Sequence, residues 1–226
     1  MGAVAVIGGL WLAFAASHTL LSSVGLRANL QKKLGAGGYL GFYSLVAAAT
    51  FIPLVVYYGS HKHEGPLLWA DGPRSLTYSL MVLAVFFIAA SLISPPPGSM
   101  QSRGSLAVTG ITKLTRHPGF IGFILFGLAH LIVNGYASDV AFWGGLVLYT
   151  PFGAWHQDQR KRQENPVGYG QVLTQTSFIP GLAILQGRQS FKFADLGFIP
   201  LIATVFGVIL LIQGHPYFAG VSLIQR

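Results

Sequence analysis

The chain is written in apolar blocks of membrane-spanning length, and that limits nearly everything it can fold into. About six blocks qualify, near 2–24, 39–58, 76–94, 118–135, 139–156 and 195–213, since a spanning helix needs roughly 20 mostly apolar residues. Hydrocarbon cannot satisfy free N–H and C=O groups, so each block is expected as a helix. The expected fold is all-α: a polytopic membrane helix bundle of about six transmembrane helices, forming one domain over residues 1–226. Charged residues make up 9% of the chain, against about 25% in a soluble domain, which assigns most of the surface to lipid. The first block lacks a basic leader and is long enough to span, so it reads as a retained helix rather than a cleaved signal. Breaker clusters at 35–38, 59–73 and 94–98 separate the blocks. The fourth and fifth meet at 136–138 and are expected as an antiparallel hairpin.

Charge placement supplies an orientation. Arg27, Lys32 and Lys33 follow the first block, Arg103, Lys113 and Arg116 the third, and Arg160, Lys161, Arg162, Arg188 and Lys192 the fifth. The even connections and the termini hold only Lys62, Arg74 and Arg226. By the positive-inside rule both termini are non-cytoplasmic, in what reads as a bacterial inner (cytoplasmic) membrane. The net charge of +8 is then mostly this signal, with anionic headgroups as a secondary partner. The basic residues form no continuous patch, so no nucleic acid is expected. The long connection 157–194 opens polar and turns apolar at 178–185. That stretch is too short to span and suits an interfacial segment or a cap. The absence of cysteine excludes disulfides and thiolate ligands. Nothing specifies an oligomeric state.

Four of the 7 histidines lie in or at the ends of these blocks, and ionisable groups there point to function. His18 shares a helical face with Trp11, Phe14 and Ser22. His130 shares one with Phe120, Phe123, Gly127 and Asn134, and the missing side chain at Gly127 leaves space for a flat macrocycle. Each suits a ring cofactor or a metal. Each also suits a packing residue hydrogen-bonded to a neighbouring helix. His117 precedes Pro118 at a helix start, where it can be a second ligand, a relay or an interfacial residue. His156 follows Trp155, an interfacial pairing that usually anchors. His61 and His63, beside Glu64, read as a solvated loop with a lesser metal option. His215 falls outside the last span. Arg27, Arg116 and Arg160 can pair with carboxylates such as heme propionates, or simply carry the inside charge. There is no phosphate-binding glycine loop, no HExxH motif and no Ser-His-Asp arrangement. None of the six acidic residues falls in mid-span.

Four ordered blocks carry a family resemblance. The first is Ser17-His18-Thr19 with Ser22, Gly25, Leu26 and Arg27. The second is Tyr57-Tyr58-Gly59-Ser60-His61-Lys62-His63-Glu64-Gly65, then Trp69. The third is Thr115-Arg116-His117-Pro118-Gly119-Phe120-Ile121-Gly122, running to Ala129-His130. The fourth is Gly153-Ala154-Trp155-His156-Gln157-Asp158-Gln159-Arg160, with Tyr169-Gly170, Thr176-Ser177-Phe178-Ile179-Pro180 and Gly187-Arg188-Gln189. On these residues the chain resembles the NnrU-type membrane proteins and, behind them, the plant 15-cis-zeta-carotene isomerases.

The resemblance implies a multi-span bundle and, on the isomerase side, a heme b whose axial histidines match His18 and His130. His117, Arg27, Arg116 and Arg160 join them as candidate cofactor-binding residues. It implies cis-to-trans isomerisation of a lipophilic polyene such as a carotenoid, with redox-linked chemistry at the iron. A second reading is a non-catalytic heme protein: an electron carrier, a nitric oxide sensor or an assembly factor in denitrification. A third is a methyltransferase using S-adenosylmethionine, since Arg116-His117-Pro118-Gly119-Phe120 with Glu164-Asn165 and Tyr169 resembles the isoprenylcysteine methyltransferases. Plant isomerases carry cysteine at the Gly127 position and asparagine at the His156 position. Helix rise adds a constraint: His18 lies roughly 13 Å from Arg27, and His130 roughly 21 Å from Arg116. Ligands of one iron must share a level. Were the offset of about 8 Å to hold, His18 with His117 or His156 would be the better pair.

Overall fold

The structure is a computed structural model and describes residues 2–99, 104–220 and 223. Arg103 and Arg226, counted in the charge asymmetry, lie outside the described residues. The described chain is helical throughout: α1 Ala3–Leu21, α2 Val24–Ser60, α3 Arg74–Ile93, α4 Pro118–Ile132, α5 Ala137–Glu164, α6 Pro166–Gln175, α7 Leu182–Leu185 and α8 Phe198–Ala219. Short 3₁₀ turns stand at Gly110–Lys113 and Phe193–Leu196.

Four of these helices, α1, α2, α3 and α8, are long and apolar enough to cross a membrane. Helix α4 is apolar but has only 15 residues, and α5 turns polar after Trp155. The side chains are arranged as lipid demands. Leu12, Leu148, Leu210 and Phe206 are exposed at 73%, 77%, 70% and 63%, a pattern that water would penalise and hydrocarbon does not.

The chain folds as two compact units. The first comprises residues 1–77 and 127–166, and holds α1, α2, the end of α4 and α5. Its core is Ile7, Trp11, Leu54, Tyr58 and Phe142. The second comprises residues 78–126 and 167–226, with a core of Phe86, Phe87, Ala90, Ile111 and Ile121. There Gly119 and Gly122 let α4 lie on α3: a Cβ on Gly119 would stand 2.9 Å from Ser91 Oγ, and one on Gly122 would stand 2.6 Å from Ile88 Cγ1.

Several sequence-based boundaries are corrected. The 25–38 stretch, expected as a loop, is the first part of α2, which runs on to Ser60 across a kink at Gly35 (φ 72°, ψ 168°). Arg27, Lys32 and Lys33 are good helix formers, and only Gly35 adopts a backbone that an L side chain avoids. Helix α5 continues to Glu164, and α8 extends far enough to include His215. The 59–73 connection is largely exposed, as expected, and is also laced to the start of α5. Leu68 N–H donates to Gly135 O (2.8 Å), Ala137 N–H to Pro66 O (3.0 Å) and Ser138 N–H to Glu64 O (3.1 Å). The Trp69 indole adds a bond to Leu131 O (2.8 Å).

Candidate functional site

Two polar clusters sit in the first unit, both built on α5. The first starts from the α1–α5 seam. Trp11 lies flat over Gly145, where any side chain would collide with its indole, and its N–H donates to Phe142 O at 3.0 Å. One turn on, Phe14 packs against Phe51 and Tyr149. Another turn on, the His18 ring stacks on Phe14 (5.0 Å between centroids, 27°) and meets Tyr149 edge-on at 6.4 Å. The His18 Nε2 is 2.6 Å from the Tyr43 hydroxyl. Its Nδ1 is buried with no hydrogen-bond partner. Ser22 Oγ donates to His18 O at 2.8 Å. In the tautomer that carries its proton on Nε2, that N–H donates to Tyr43 and Nδ1 presents a bare lone pair. That arrangement is chemically a base, or a ligand atom, held in an apolar wall.

The second cluster runs inward from the 59–73 connection. Asp139 is fully buried, and its carboxylate accepts from the Tyr58 hydroxyl (2.9 Å), the His63 backbone N–H (3.3 Å) and His63 Nδ1–H (2.8 Å). Tyr58 in turn accepts from Trp143 Nε1–H at 2.9 Å. The Trp143 indole stacks on His130 with centroids 3.9 Å apart and planes at 19°. A connected path thus leads from His63, whose side chain is 51% exposed, to the ring of His130. Asp139 belongs to no sequence motif, and His63, expected in a solvated loop, is half exposed while bonded to it. The available signal was an acid in the first turn of an apolar helix, a place where burial demands a partner.

The expected ligand pair is not brought together. His18 stands against Tyr149 and His130 against Trp143, six positions earlier on α5, or about 9 Å along its axis. The offset has the size and sense obtained from helix rise alone. Gly127 is spent on packing, since a Cβ there would meet Val147 Cγ2 at 2.7 Å and Trp143 O at 3.3 Å. It lets α4 approach α5 and opens no slot for a macrocycle. As arranged, the pair does not fit a single bis-histidine iron. Among the described residues no three or more His, Asp or Glu gather as a metal site.

The remaining candidates fall in three places. Arg27 donates to Glu164 at 2.6 Å, and Arg160 approaches the same carboxylate at 3.4 Å, so both are engaged by a protein acid. His156 lies one turn before Arg160 and within electrostatic range of His18. Arg116 and His117 belong to the second unit. Its Arg116 N–H donates to Ser177 O (3.0 Å), Thr115 Oγ1 donates to Phe178 O (2.7 Å), and Arg188 Nη1 donates to Thr176 O (3.0 Å). His117 is 1% exposed, beside Phe120 and Phe178. Within the second unit, residues 115–116 of the third block are therefore bonded to residues 177–178 of the fourth, and Arg188 closes on Thr176. Of the residues likened to methyltransferase motifs, Glu164 pairs with Arg27 and Arg160, and Tyr169 is 2% exposed.

These residues lie within one family. The NnrU protein family matches residues 6–223, and the chain belongs to it. Among curated proteins it is similar to the chloroplastic 15-cis-zeta-carotene isomerase of Zea mays, 28% identical over 186 residues, covering 80% of this chain and 50% of that protein. The corresponding protein of Arabidopsis thaliana is 26% identical over 223 residues, covering 93% of this chain and 59% of its own length. The chain thus spans between half and three fifths of the relatives it matches. No solved structure matches it.

Proposed function

We propose that this chain is an isomerase-like integral membrane protein acting on a double bond of a lipophilic polyene. What supports the reading most is the similarity to the two carotene isomerases over 80% and 93% of this chain. The chemistry is compatible. A polyene carries no charge and reaches its site through lipid, and α1 and α5, which carry His18 and Tyr149, expose apolar side chains such as Leu12 and Leu148. The test is expression in bacteria that accumulate 15-cis-zeta-carotene, kept in the dark. Pigment chromatography is expected to show loss of the 15-cis isomer, and a fall of at least tenfold in the His18→Ala strain. Unchanged pigment with well-expressed protein would overturn the reading.

Heme b is the cofactor that the family resemblance implies. Its iron would supply the redox-linked chemistry of the isomerisation. His18 and His130 face α5 rings about 9 Å apart along its axis and do not share a level. A pyridine hemochrome assay separates the cases. One heme per chain, lost in both His18→Ala and His130→Ala, would mean that α1 and α4 re-register by about 9 Å on loading. A colourless, folded and active protein would remove heme from the reading.

The same proposal includes six crossings and non-cytoplasmic termini in a bacterial inner membrane, supported by the basic residues at 27–33 and 160–192. Because the chain has no cysteine, single cysteines report directly. Lys62→Cys is expected to react with an impermeant maleimide added outside intact cells, and Lys192→Cys only after lysis. The reverse pattern would invert the orientation.

A further inference from the structure

We propose that the end of the first unit where α2 begins and α5 finishes binds a phosphate oxyanion, and that a lipid headgroup supplies it. A half-open cleft of about 390 Å³ lies there, lined by Ser23, Trp155, His156, Gln159, Arg160 and Gln163 among others. Helical spacing sets the lining: His156 and Arg160 form one row of α5, and Trp155, Gln159 and Gln163 the next. The wall presents a guanidinium, an imidazole, two carboxamides and an indole, and no carboxylate.

Three observations favour an anion over a neutral guest. Arg160 Nε is buried without a hydrogen-bond partner, a donor left unused where unused donors are costly. The acid that Arg160 does reach, Glu164, is shared: Arg27 takes it at 2.6 Å and Arg160 only at 3.4 and 3.5 Å. Two guanidiniums thus share one carboxylate beside the cleft. Ser23, the residue before α2, turns its hydroxyl back to Leu20 O (2.7 Å) and does not cap the helix. The first-turn N–H groups of a 37-residue helix are thus free of a side-chain cap at the cleft wall.

The surroundings favour a lipid as the source. Trp155 is 55% exposed, Phe152 against it 44%, and Leu148, about two turns back on α5, 77%. A headgroup in the cleft leaves its acyl chains along this apolar flank, and tryptophan is at home at the headgroup level.

The test uses the full chain purified in a neutral detergent, with thermal unfolding as readout. Phosphatidylglycerol is expected to raise Tm by roughly 5–10 °C near saturation, and phosphatidylcholine to do little, since its choline meets Arg160. The rise should vanish in Arg160→Gln. It should also vanish in Gln163→Glu, an isosteric change at an exposed position that folding should tolerate. An equal rise with inorganic phosphate, lost in both variants, would keep the oxyanion site and assign it to free phosphate. No rise with either probe, or a rise that persists in both variants, would overturn the proposal.

Discussion

Asp139→Ala is expected to lower the stability of the purified chain by about 2–4 kcal/mol, the cost of leaving the buried Tyr58 hydroxyl without its acceptor and of losing the buried carboxylate's other hydrogen bonds. For a chain of this size that is a fall in Tm on the order of 10 °C. The cost arises from what remains. Tyr58 loses its acceptor at 2.9 Å, and His63 loses both of its bonds to the carboxylate. The 61–73 connection then has one tie fewer to α5. Asp139→Asn should cost clearly less, because an amide oxygen can still accept from Tyr58. His63→Ala should also cost less, because half of that side chain already faces solvent. Thermal unfolding of the three variants side by side checks the order. If Asp139→Ala melts within a degree or two of the parent, the Asp139–Tyr58–Trp143 path does not hold the unit together, and its link to His130 loses its structural basis.

The difference between what the sequence disclosed and what it withheld is physical. Apolar length is a one-dimensional property, so the presence of α1, α3, α4 and α8 was legible. The helical kind of fold followed from the needs of the backbone in lipid. The reach of α2 was not legible. Glycine at 35, 37 and 38 looks like a turn, but whether a glycine breaks a helix or only bends it depends on what packs around it. Asp139 was hidden because its partners, Tyr58 and His63, lie 81 and 76 residues away, and no local pattern marks such a meeting. The depth offset between His18 and His130 was legible, because helix rise converts sequence distance into height wherever the helix ends are near the right place. In the first unit His18 faces Tyr149 and His130 faces Trp143.

Gly145→Leu is the second large effect, on the order of 4 kcal/mol, combining the strain of overpacking with a lost buried hydrogen bond. Two adjacent glycines make the test internal. Gly144 has nothing within 4 Å of where a Cβ would stand, whereas a Cβ on Gly145 would lie 2.6 Å from Trp11 Cε2. Gly144→Ala should therefore be neutral or gain up to about 1 kcal/mol from helix propensity, while Gly145→Ala destabilises and Gly145→Leu does so most. Propensity alone predicts the same sign at both positions, so opposite signs identify the Trp11 contact as the cause. The consequence reaches the site. Trp11 and His18 lie seven positions apart on α1, which is about two turns, and the indole is pinned to Phe142 O. A side chain at 145 lifts this part of α1 off α5 and carries the His18 ring away from Tyr149. Isomerising activity, once established, should then fall more steeply in Gly145→Ala than its loss of stability explains, and remain at the parent level in Gly144→Ala. Equal behaviour of the two alanine variants in melting and activity would mean that the α1–α5 seam does not set the position of His18.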